Sequence, residues 1–122
     1  MRGVAFWFLV LGVLSGLLGM VWGIQMAATG NHTLSPAHGH LNLIGWVSLV
    51  LFAFYYHTVP AAAVSRLAKL HFGVAALGLV IIVPGIAMAI SGSGETLAKV
   101  GSLITLISML VFGAVVLRTR ES

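Results

Sequence analysis

The sequence predicts an all-α integral membrane protein, a four-helix bundle forming one domain over residues 1–122. Three observations predict it. Only 7% of the residues are charged and 60% are hydrophobic, whereas an ordinary soluble domain carries about 25% charged residues. Four apolar stretches each reach the roughly 20 residues that a bilayer core requires. The basic side chains fall in alternate connectors, as they do when successive helices cross a membrane in opposite directions.

The first helix is expected over residues 4–28, an apolar run that starts just after Arg2. Such a start also suits a signal peptide, with Met26-Ala27-Ala28 as a cleavable end. The run is well over the roughly 7–15 residues of a signal core, so a retained helix is the better reading. Gly12, Gly16, Gly19 and Gly23 fall on one face of this helix, spaced 4, 3 and 4. Such a stripe admits another backbone, or a flat cofactor, at close range; helix packing is its usual use. The second helix is expected over 37–57, the third over 67–91 and the fourth over 97–117. In the third, Gly73 and Ala76 form a smaller contact face, and Pro84-Gly85 should bend the helix because proline lacks the N–H of the helical ladder.

Arg2, Arg66, Lys69, Arg118 and Arg120 lie on one side of this arrangement, while Lys99 is offset locally by Glu95. The distribution places both termini in the cytoplasm and puts residues 28–36 and 92–96 outside, in a multi-pass protein of the cytoplasmic (inner) membrane. It also accounts for the pI of 10.4 without a nucleic-acid partner. The sequence has no cysteine and no aspartate, and its only acids, Glu95 and Glu121, lie outside the spans. Thiolate metal sites, a Ser-His-Asp nucleophile and an intramembrane carboxylate pair are therefore excluded within one chain. Histidine is left to carry chemistry.

Five histidines are present. His32 belongs to the outer connector. His57 and His71 lie near the cytoplasmic ends of the second and third helices, where both are expected to reach water. His38 and His40, in Ala37-His38-Gly39-His40, lie at the outer mouth of the second helix. Ionisable residues inside a membrane mark function by default. At roughly 100° per residue the two imidazoles diverge by about 200°, so they cannot be the two axial ligands of one iron. The His38 side continues through Asn42, Gly45, Leu49, Phe52 and Tyr56, and the His40 side through Ile44, Val47, Leu51 and Phe54. Both sides offer an apolar wall suited to a porphyrin, and Asn42 is placed to orient a ligand histidine. From these residues alone, haem or metal binding and simple bonding across to other helices both remain open.

The segment Ala37-His38-Gly39-His40-Leu41-Asn42, continuing to His57-Thr58-Val59-Pro60, resembles the tenth transmembrane helix of subunit I of the haem–copper oxidases. Ala68-Lys69-Leu70-His71-Phe72, with Gly78 and Pro84 behind it, is similar to the start of the eleventh. The resemblance covers about half the chain. It implies that His38 and His40 are haem-iron ligands and that His57 and His71 are not. The family's catalytic subunit has twelve helices in three arcs of four. One arc's worth of helices implies a homotrimer, with His38 of one copy and His40 of the next on the same haem. This arrangement also assumes that Asn42 and both imidazoles face lipid until a partner covers them.

The helix that carries the family's copper ligands and cross-linked tyrosine has no counterpart, so no oxygen-reducing centre is implied. The expected function is that of a b-type haem protein in electron transfer, with quinol or another carrier as partner, besides the membrane lipid around it. A gas-binding haem sensor or reductase is one alternative. An accessory or assembly subunit handling copper or haem is another.

Overall fold

The computed structural model describes residues 1–120; Glu121 lies outside them. All regular elements among these residues are helices. Four are long and apolar enough to cross a membrane: α1 (Gly3–Thr29), α2 (Ser35–Thr58), α3 (Arg66–Ile90) and α4 (Thr96–Arg118). A single helical turn, Pro60–Ala63, joins α2 to α3. The chain is thus a multi-pass membrane protein, and each helix lies within two residues of its expected bounds.

Local chemistry sets these bounds. Gly30 takes the left-handed conformation (φ 68°) that closes α1. Pro36 occupies the first turn of α2, where its missing N–H has no helical acceptor to lose. Ser65 caps α3 by accepting from the Ala68 N–H at 3.1 Å. Gly92 and Gly94, both at positive φ, turn the chain between α3 and α4.

Helix α1 lies along α2, α3 lies along α4, and the two pairs meet through α2 and α3. Pairing of α3 with α4 rests on glycine. A Cβ at Gly85 would come within 2.6 Å of the Ala98 backbone, and one at Gly101 within 2.6 Å of the Ile82 Cα. Backbones approach that closely only where no side chain intervenes. Gly73 does not serve this purpose: it is exposed, with nothing within 4 Å of a Cβ there. The contact face runs instead through Gly78, Ile82 and Gly85, further along the helix. Pro84 sits inside α3 with its ring on the exposed side. A cavity of about 190 Å³ lies between α2, α3 and α4, lined by Ile44, Phe52, Ala75 and Thr105 among others.

The pairing of α1 with α2 explains an element that helical periodicity does not foresee. Residues Leu41–Val47 of α2 form a π-helix. The glycine stripe of α1 meets α2 antiparallel: Gly12 faces Val50, Gly16 faces Trp46, Gly19 faces Asn42 and Gly23 faces His38. Eleven residues of α1 therefore match twelve of α2. Eleven residues make a nearly whole number of α-helical turns, whereas steps of four drift by about 40° each. The wider π turns absorb the extra residue and keep all four α2 side chains on the stripe. Ser48 records the wider turn, its hydroxyl donating to the carbonyl five residues back, Leu43, at 2.7 Å.

Candidate functional site

At the loop end of α2 the two histidines have separate environments, as the expected divergence requires. His38 is half-buried against α1. Its Nε2 lies 2.8 Å from the carbonyl oxygen of Gly19. A carbonyl only accepts, so Nε2 carries the proton and Nδ1 is the bare nitrogen. Gly23 leaves room for the ring, with His38 Nε2 only 3.3 Å from where a Cβ would lie. The Trp22 indole meets it edge to face at 5.8 Å. Asn42, one turn further, sends its side-chain amide to the His38 carbonyl at 3.0 Å and lies 3.2 Å from His38 Nε2. Since Nε2 is already the donor to Gly19, the backbone carbonyl is the acceptor that this amide satisfies.

The expectation that His38 and Asn42 face lipid is therefore corrected. Their covering partner is α1 of the same chain, admitted by glycine. Without side chains at positions 19 and 23, the imidazole reaches the α1 backbone itself and the amide takes the space a Cβ at 19 would fill.

His40 differs. It is half-buried, and its Nδ1 lies 2.7 Å from the Pro36 carbonyl one turn earlier in its own helix. Nδ1 must donate there, so the proton is fixed on Nδ1 and Nε2 keeps a free lone pair. Metal-binding imidazoles commonly have this arrangement, the distal N–H held by a backbone carbonyl. Of the expected His40 side, Val47, Leu51 and Phe54 are exposed by 43%, 61% and 53%, whereas Ile44, one turn from His40, is half-buried and packs against the core. Asn42, Gly45, Leu49, Phe52 and Tyr56 face inward, as expected for the His38 side, with all but Asn42 fully buried.

His32 and His57 are exposed, in line with their assignment to a connector and to a helix end. His71 is not. The expectation that it reaches water is overturned, because it is fully buried at 0% exposure. Phe8 from α1, Phe52 from α2 and Phe112 from α4 surround it at ring distances of 4.9, 4.5 and 5.3 Å. Its Nδ1 pairs with the Tyr56 hydroxyl at 2.9 Å, and its Nε2 has no partner. The aromatic residues that form this box lie scattered through three helices. The sequence signal available was Tyr56 on the inward side of α2, which pointed to the core but not to His71.

Among the described residues no three or more His, Asp or Glu side chains converge as a metal cage would need. A haem sets a different demand: its ring supplies four nitrogen donors, and the protein adds only axial ligands. The donor set at His40 fits the second requirement, with Nε2 left free by the Nδ1 bond and exposed apolar side chains further along the same helix. Comparison of the chain with protein-family models, with curated proteins and with solved structures finds no match in any of the three.

Proposed function

We propose that this chain is a membrane b-type haem protein that transfers single electrons, related to the haem–copper oxidases through the second and third helices. The observation that carries this reading is the free Nε2 of His40, fixed by the Nδ1 bond to Pro36. The unpartnered apolar side chains beneath it suit the face of a porphyrin. In the proposed assembly, a homotrimer, His40 of one copy and His38 of the next would hold the haem iron. His38 would take this role only by giving up its bond to Gly19, while Asn42 holds the His38 backbone carbonyl. Closed cyclic symmetry is the common way for identical chains to assemble, and the exposed Val47, Leu51 and Phe54 supply an interface. The haem contributes a one-electron couple at iron. The chain positions the imidazoles and surrounds the ring with hydrocarbon, which excludes water and tunes the potential.

The distribution of basic residues supports cytoplasmic termini in an inner-membrane protein; in this reading the haem lies near the outer leaflet with a quinol as electron partner. Copper binding would need imidazoles from several copies, since one chain does not gather them. The His38–Gly19 bond favours a second reading: if His38 keeps it, the iron bound by His40 has an open position for oxygen or nitric oxide.

The test is the optical spectrum of protein extracted in mild detergent, with a pyridine haemochrome assay. Bis-histidine ligation gives a low-spin spectrum that carbon monoxide leaves unchanged. A carbon monoxide shift on reduction selects the gas-binding reading. A colourless protein refutes both and leaves the accessory role.

A further inference from the structure

The box around His71 contains one hydrogen too many for its bonds. Tyr56 and His71 together carry two polar hydrogens, one on oxygen and one on nitrogen, yet they share one bond of 2.9 Å. If Tyr56 donates to Nδ1, the His71 Nε2–H has no acceptor. If Nδ1 donates, the phenolic hydrogen has none. A buried donor left unpaired costs about 1–3 kcal/mol, and neither group reaches solvent, at 1% and 0% exposure. A purely structural core at this place would be better served by two apolar side chains.

We propose that Tyr56 and His71 form a proton-coupled redox pair. A one-electron oxidant removes an electron from the phenol, and in the same event the phenolic proton passes to His71 Nδ1. The products are a neutral tyrosyl radical, a histidine imidazolium and the oxidant reduced by one electron. Return of the electron returns the proton along the same bond.

Three features of the box support this chemistry. Tyr56 has its base already in contact, so no water is needed. The imidazolium formed is ringed by Phe8, Phe52 and Phe112 within 5.3 Å, close enough for the faces of aromatic rings to attract a cation. The N–H left over has no acceptor, which leaves the Tyr56–Nδ1 contact as the bond along which the proton moves. Tyr55 is a built-in contrast: its hydroxyl bonds to the Thr119 hydroxyl at 2.7 Å and has no base.

The oxidant in the cell is a one-electron oxidant of high potential; it rests on the haem reading above in its open-position form, because an iron held by both His38 and His40 has no free site for a peroxide. Trp46 lies between the two sites along α2, one residue before the end of the π segment and roughly 15 Å from Tyr56 at 1.5 Å per residue. The pair would then hold an oxidising equivalent on the side of the membrane away from the iron.

The proposal is tested without haem, by flash oxidation of the detergent-solubilised protein with a photogenerated ruthenium(III) polypyridyl complex and paramagnetic resonance of the frozen product. The expected result is a neutral tyrosyl radical that survives in Tyr55→Phe and is lost in Tyr56→Phe. Its formation should slow at least tenfold in His71→Phe. If that variant does not fold, double-resonance spectra of the wild-type radical decide the matter. An exchangeable proton hydrogen-bonded to the phenoxyl oxygen is then expected. A radical that persists in Tyr56→Phe, forms at an unchanged rate in His71→Phe, or lacks that proton overturns the proposal. Failure of the haem reading leaves this experiment unaffected, because the oxidant is added from outside.

Discussion

The Nε2–H of His38 donates to the carbonyl oxygen of Gly19 across the α1–α2 contact, at 2.8 Å. The two helices meet closely here because positions 19 and 23 have no side chain: a Cβ at 19 would lie 2.5 Å from Asn42 Oδ1, and one at 23 would lie 3.3 Å from His38 Nε2. The glycine stripe of α1 and the polar residues of α2 are therefore one feature seen from two helices. The carbonyl of Gly19 also holds the nitrogen through which His38 would otherwise reach iron.

Substituting Gly19 by alanine should push Asn42 and His38 off α1. Overpacking of this kind costs about 1–3 kcal/mol, read as a lower thermal midpoint in detergent. Gly113→Ala, where nothing lies within 4 Å of the new carbon, should leave the midpoint unchanged or raise it slightly, because alanine favours the helix. Equal effects at the two positions would contradict the close α1–α2 contact.

The π-helical segment should tolerate a deletion that the rest of α2 does not. Removing exposed Leu43 lets the segment close to ordinary α-helical turns while both flanks keep their neighbours. Removing Leu51 instead rotates everything beyond it by about 100° and displaces Phe52 and Tyr56 from the core. Circular dichroism melts of the two deletions should therefore differ, with ΔLeu43 the more stable.

Haem content should follow the histidines unequally. His40→Ala should abolish the haem spectrum. His38→Ala should convert a low-spin spectrum to a high-spin one, and exposed His57→Ala should leave it intact. An unchanged spectrum in both the His38 and His40 variants would remove the ligand assignment.

Assembly is read from mass in detergent, with haem counted beside it. Three copies per particle are expected, and Leu51→Arg on the outward apolar face should dissociate them into single chains. A monomer that retains bis-histidine haem would refute ligation between copies.

Orientation is accessible to single-cysteine labelling, since the native chain has no cysteine. Cysteine at position 33 should react with an impermeant reagent from outside and cysteine at 65 only after lysis. The reverse pattern would invert the topology.

Composition alone determined that the helices span a membrane, because a chain this poor in charge has only intrahelical partners for its backbone in hydrocarbon. Apolar run length then set the helix bounds to within two residues, and the spacing of Gly12, Gly16, Gly19 and Gly23 marked a close-packing face. Which helix meets that face lay in the tertiary structure, since a glycine stripe names no partner. The π segment followed from that choice: eleven residues had to match twelve, a constraint between two helices that neither shows alone. The same holds for the histidines. Divergence of His38 and His40 follows from helix geometry, but engagement of one and freedom of the other depend on where carbonyls of Gly19 and Pro36 lie. His71 looked interfacial by its place in the chain. Its burial was decided by Phe8, Phe52 and Phe112, brought around it from three other helices, because packing is settled by neighbours in space.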